Sequence, residues 1–222
     1  MRENTTGTIG VHICQKYLTG FMGRMFMGSP AYKDISYGDH PQQVFDLYIP
    51  GTEGNLPLII LVHGGGFYCC DKTDFHTRPI PVFLRMGFAV ASVNYRMAPD
   101  FPWPYPQQDL DRCIRYLREE GRKWKIDTEK VFLHGTSAGG NLAAIEALLA
   151  SSSEEIRAAA LLCPLISLDR MEEDLAVSGF AEEENLEELK KIRLLYLKGK
   201  KRLEADADYY ISNQSAYHVP FY

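Results

Sequence analysis

The chain has 222 residues, enough for one domain with its own core and no disulfide staples. Its residues are 45% hydrophobic and 24% charged, which excludes an intrinsically disordered chain. A net charge of −5 offers no basic face for nucleic acid and gives no reason to expect an anionic partner.

The first residues, Met1 to Thr6, are polar and lack the charged head, apolar run and small-residue cleavage site of a secretion signal. Residues 11–27 space Cys14, Leu18, Phe21, Met22 and Met25 as a helical apolar stripe, weakened by Gly20 and Gly23. The stripe fits core packing, or a flap over an apolar pocket. Gln43 to Ile49, closed by Pro50-Gly51, predicts an outer strand. Leu56–Val62, Phe88–Val93, Val131–Leu133 and Ala158–Leu162 are nearly continuous apolar runs. Runs of this kind belong to parallel strands covered by helices on both faces.

Helical patterns lie between these strands. One is short, around Thr77–Met86, and a second runs from about Gln107 to Lys125 with Leu110, Cys113, Ile114 and Leu117 on one stripe. A third begins after Ser137 and carries Leu142, Ile145, Leu148 and Leu149. Alternating strands and helices predict a single α/β domain over residues 1–222, with a mostly parallel sheet and right-handed crossovers. Residues 171–189 are acidic and Lys190 to Arg202 basic, with Leu186, Leu189, Ile192 and Leu195 in a stripe. That charge order suits a helix dipole. It predicts an amphipathic helix, either solvated or part of a lid. The expected cap segments are therefore about 1–35 and 168–205.

No apolar run approaches the roughly 18 residues that cross a bilayer, so no membrane span is expected and the default location is cytoplasmic. The five cysteines, Cys14, Cys69, Cys70, Cys113 and Cys163, show no metal-ligand spacing. Cys69 and Cys70 are adjacent, which is poor geometry for a routine disulfide. Reduced thiols in a reducing compartment are the expectation.

Two stretches carry chemistry. Val131 to Asn141 runs from strand to helix through Gly135-Thr136-Ser137-Ala138-Gly139. A tight strand-to-helix turn forces its apex residue into a sparsely allowed backbone region and needs small neighbours. Ser137 would then present its hydroxyl beside the unpaired N–H groups of a helix N-terminus. The second stretch, His63-Gly64-Gly65-Gly66-Phe67, follows the most apolar strand. Three consecutive glycines cost backbone entropy and make sense where backbone N–H groups must approach a ligand. The spacing is not Gly-x-Gly-x-x-Gly and no helix follows at once, which disfavours a phosphate cradle. Donors aimed at the oxygen of a tetrahedral intermediate fit better.

With Asn94-Tyr95-Arg96-Met97-Ala98-Pro99-Asp100, these stretches resemble, in order, the landmarks of hormone-sensitive-lipase-like carboxylesterases and lipases, which are α/β-hydrolases. The resemblance covers about residues 37–170. It implies Ser137 as nucleophile and an oxyanion hole from the N–H groups of Gly64, Gly65 and Ala138. It also implies that Arg96, Asp100 and Asp109 brace the neighbouring loop. Thr136 departs from the Asp that many relatives carry before the nucleophile. The implied reaction is hydrolysis of short carboxylic esters through an acyl-Ser137 intermediate, with a small-molecule ester as substrate and no metal or organic cofactor.

A serine nucleophile needs a base and an orienting acid, which in this fold follow it in the order Asp or Glu, then His. The resemblance implies that the strands carrying them come after the part of the fold read here, and the sequence up to Tyr222 is expected to lack them. His63 reads as a loop brace and His134 as a buried core histidine. His12 and His40 lie outside the motifs, and His76 and His218 are weak candidates for the base. Three alternatives stand: a truncated esterase lacking acid and histidine, a binding protein for acyl or ester compounds without turnover, and an enzyme whose base comes from a neighbouring chain. A sheet that ends early would expose an edge and favour a homo-oligomer.

Overall fold

The computed structural model describes residues 29–150, 156–165 and 196. The expected helix at 11–27, nearly all of the C-terminal cap segment, His12 and His218 lie outside them. Within the described residues the strands are β1 (Tyr32–Ser36), β2 (Val44–Tyr48), β3 (Leu56–Val62), β4 (Ala89–Val93), β5 (Ile126–Thr136) and β6 (Ala158–Leu162). They form one sheet in the order β1-β2-β4-β3-β5-β6. The β3, β4, β5 and β6 pairings are parallel, whereas β1–β2 and β2–β4 are antiparallel. The helices are α1 (Ile80–Arg85), α2 (Tyr105–Glu120) and α3 (Ala138–Leu149), with 3-10 turns at Phe75–Thr77 and Gly121–Trp124. This is the mostly parallel α/β arrangement that the apolar runs imply, and the one that the resemblance to α/β-hydrolases leads us to expect.

Side-chain alternation along the central strands separates two cores. Leu58, Ile60 and Val62 of β3, with Ala91, Val93, Val131 and Leu133, face α2 and α3, where Leu110, Cys113, Leu117 and Leu142 are buried. Ile59, Leu61 and Val90 face the other way, onto Ile80, Phe83 and Leu84 of α1. Each fully buried large side chain contributes about 1.5–3 kcal/mol.

The structure departs from expectation at the margins. The 43–49 strand is not outermost, because β1 pairs outside it through Ile35 opposite Phe45. β1 takes the last residues of the segment expected as a cap, and its nearly all-exposed pattern carries no apolar signal. β5 starts five residues before the apolar run at Val131, through the polar residues Asp127 to Lys130. β6 is the edge of the described sheet and is half-exposed rather than covered on both faces. His134 is likewise half-buried, its Nδ1 3.0 Å from the Ala160 carbonyl of β6. No helix among the described residues is long and apolar enough to cross a membrane.

The strand order places the site. The chain crosses from β3 to β4 on one side and then to β5 on the other, so β3 is the point where the order reverses. Loops leaving such a point open a crevice at the strands' carboxyl ends. Val62 is paired with Gly135, so the glycine loop and the Ser137 turn start side by side.

Candidate active site

Ser137 occupies a conformation that side chains avoid, φ 54° and ψ −118°, between β5 and α3. The turn is held from both ends. The Ser137 N–H donates to the Leu162 carbonyl (2.9 Å), and its carbonyl accepts from the N–H groups of Asn141 (3.1 Å) and Leu165 (3.3 Å). Ser137 is half-buried, and its hydroxyl makes no capping bond to the helix it precedes. Ala138 is the first residue of that helix, where N–H groups have no intrahelical partner.

The flanking glycines are required by packing. A Cβ on Gly135 would collide with the Gly139 carbonyl, and one on Gly139 with the carbonyls of Val62 and His63. A Cβ on Gly64 would lie 3.1 Å from the Ser137 Cβ and 2.8 Å from the Thr136 carbonyl oxygen. The structure thus brings the glycine triplet and Ser137 into contact. Gly65 and Gly66 follow with φ of 103° and 60° and are half-buried.

One expected donor points elsewhere. The Gly64 N–H donates to Nε2 of His76 (3.3 Å), a residue buried in the 3-10 turn after the loop. The bond fixes Nε2 as acceptor and therefore puts the proton of the neutral ring on Nδ1. The reading of the glycine triplet from residue types alone contained no signal for this, because it depends on how the loop folds back.

The Asn94-Tyr95-Arg96 stretch explains how the glycine loop is held. Asn94 accepts from the Lys72 N–H (2.6 Å) and donates to Asp71 (2.8 Å). The Tyr95 hydroxyl donates to the His63 carbonyl (2.9 Å), and its ring stacks on His63 at 4.4 Å. His63 Nδ1 lies 2.8 Å from the Gly64 carbonyl, in keeping with a brace. Arg96 forms a two-pronged ion pair with the fully buried Asp109 (2.6 to 3.1 Å), which also accepts from Gln43 and from the Arg96 N–H. Further along, the Ala98 N–H donates to the Phe67 carbonyl (2.9 Å), and Tyr196 stacks on the Phe67 ring at 3.7 Å.

A family model described as BD-FAE matches residues 45–187. This chain belongs to the BD-FAE family. Several of its curated relatives are carboxylesterases. Carboxylesterase 20 of Arabidopsis thaliana is 34% identical over 124 residues, 50% of this chain and 38% of that protein. Carboxylesterase NlhH of Mycobacterium tuberculosis is 30% identical over 146 residues, 65% of this chain and 44% of that protein. The BD-FAE chain therefore spans less than half the length of these curated relatives. A thermophilic carboxylesterase cloned from a metagenomic library has the same fold, with a TM-score of 0.71 at 21% identity over 96% of this chain and 72% of that one.

In this BD-FAE member the Asp71–Asn94 hydrogen bond, next to the glycine loop in sequence, is expected to make stability depend on acid. Burial alone would raise the Asp71 carboxyl, but hydrogen bonds from Asn94 and Thr73, with the Lys72 charge, hold it below its ordinary value. A depressed carboxyl stabilises the fold above its unfolded pKa of about 3.9, and that contribution is lost as pH falls through the folded value. The wild-type melting temperature should therefore drop below about pH 4, and Asp71→Asn should flatten that limb in thermal denaturation. Parallel acid limbs in the two proteins would refute this role of Asp71.

Proposed function

We propose that this chain carries the catalytic serine and oxyanion hole of a carboxylesterase acting on short carboxylic esters. The observation that supports this most is the strained, half-buried Ser137 in contact with the glycine triplet. In this reading Ser137 Oγ attacks the ester carbonyl carbon, the alcohol leaves, and water releases the acyl group from Ser137. The N–H groups of Ala138 and Gly65 face the developing oxyanion, and one such donor is worth about 3 kcal/mol in the barrier. The Gly64 N–H joins them only when it is released from His76.

A second reading, ester or acyl binding without turnover, draws on one specific feature. His76 lies against the Gly64 backbone, but its Nε2 lone pair is already used by the Gly64 N–H, so it is poorly placed to take a proton from Ser137.

A short-chain nitrophenyl ester and a fluorophosphonate probe separate the two. For an esterase, the probe adds to Ser137, and Ser137→Ala loses the adduct and lowers turnover by about 10³-fold or more. Turnover unchanged in Ser137→Ala would overturn the nucleophile assignment. Saturable binding of an ester analogue, with no turnover in either protein, would establish the second reading.

A further inference from the structure

Cys69 and Cys70 lie directly under the glycine triplet and have no part in the chemistry above. Their Sγ atoms are 4.0 Å apart, and neither is in a disulfide. Both residues are half-buried, whereas Cys113 is fully enclosed. The pair is built into the loop through Gly65. The Gly65 carbonyl accepts from the N–H groups of Tyr68 and Cys69 (both 3.1 Å) and from the Cys69 thiol (3.2 Å). A Cβ on Gly65 would meet the Cys69 carbonyl and lie 2.9 Å from the Cys70 Sγ. Cys70 itself has φ 77°, a left-handed conformation that turns its side chain back toward Cys69 and Gly65.

We propose that Cys69 and Cys70 are a redox-modification site whose reversible adjacent-residue disulfide displaces the Gly64–Gly66 loop. The oxidant is a peroxide. One thiolate attacks a peroxide oxygen, giving a sulfenic acid and one water, and the neighbouring thiol attacks the sulfenic sulfur, releasing a second water. Two S–H bonds and the O–O bond break; one S–S and two O–H bonds form. The protein loses two electrons and the peroxide gains them.

Geometry makes this bond a switch rather than a staple. Adjacent Cα atoms are about 3.8 Å apart, closer than the roughly 4.4–6.8 Å of ordinary disulfides. The ring is strained, and strained disulfides are the readily reduced ones. Closing it draws the sulfurs from 4.0 Å to about 2.0 Å. It also removes the thiol hydrogen that bonds the Gly65 carbonyl. Both changes act on the residue whose N–H is assigned to the oxyanion hole. The loss of acylation rests on the esterase reading; the bond and the loop displacement do not.

The test treats the whole chain with hydrogen peroxide and then with dithiothreitol. Peptide mass mapping should show the 69–70 segment short of two hydrogens, restored by the reductant. Hydrogen exchange in residues 63–70 should rise on oxidation and fall again on reduction. Fluorophosphonate addition to Ser137 should slow about 10²-fold in the oxidised form. Cys69→Ser keeps a donor to Gly65, and Cys70→Gly suits the positive φ; both should leave loop exchange and labelling insensitive to peroxide. Pairing of either cysteine with Cys14 or Cys163, or a 69–70 disulfide without change in loop exchange, would overturn the proposal. If reduced protein fails to label at Ser137, the esterase reading fails, and mapping and exchange still decide this one.

Discussion

Gly139→Ala is expected to lower the unfolding free energy by about 3 kcal/mol or more, the upper end for forcing extra atoms into a packed site. The sign runs against helix propensity. Gly139 is in α3, and alanine in a helix interior is ordinarily favoured over glycine by about 1 kcal/mol. Here the added Cβ meets two backbone carbonyls of the β3 end, those of Val62 and His63, and neither belongs to a side chain that can turn away. Relief requires pushing α3 off the sheet, which also moves Ser137 relative to the glycine triplet. Gly51→Ala is the matched control, because a Cβ there meets nothing within 4 Å and the change should stay within about 0.5 kcal/mol. Urea unfolding of the two variants and wild type measures the difference. Equal midpoints for Gly139→Ala and wild type would mean that the helix does not rest on β3 as described.

Asp109→Ala should cost about 3–5 kcal/mol, because it leaves a charge without its buried partner. Asp109 is fully buried and binds Arg96 through two nitrogens, the Arg96 backbone and Gln43. Its hydrogen bonds are the main reason that the Arg96 guanidinium is held more firmly protonated than usual. The guanidinium also lies over the rings of Phe101 and Tyr105, at 5.2 and 4.8 Å. The double replacement Arg96→Met with Asp109→Leu should recover much of the loss, since apolar residues of similar volume often replace a buried pair at little cost. A double variant as unstable as Asp109→Ala would show that the pair does more than neutralise itself. Because Ala98 holds the Phe67 carbonyl, loosening Arg96 should reach the glycine loop as well.

The parts of this architecture that were legible in the sequence are those decided by local chemistry. The apolar runs Leu56–Val62 and Phe88–Val93 mark strands because both their faces are covered. The glycines around Ser137 mark the turn because nothing larger fits there. What was not legible depends on distant partners. β1 has an exposed, polar pattern and becomes a strand only by pairing with β2. The polar residues Asp127 to Lys130 of β5 join the sheet because Ile126 ahead of them meets Leu56 across it. The turn of the Gly64 N–H toward His76 depends on the fold of the intervening loop, as does the stacking of Tyr95 on His63. The residues at the site could be named from their spacing; the direction in which each amide points could not.

The Phe67–Tyr196 ring pair has a dynamic consequence. Both rings are almost wholly shielded from water, and each backbone is tied to the same stretch of chain, Phe67 through Ala98 and Tyr196 through Trp103. The aromatic contact contributes about 0.5–1.5 kcal/mol beyond the area it hides. A local opening that lifts residue 196 should therefore also loosen the packing of Phe67 at the end of the glycine turn. The end of the glycine turn is thus packed against a residue 129 positions further along the chain.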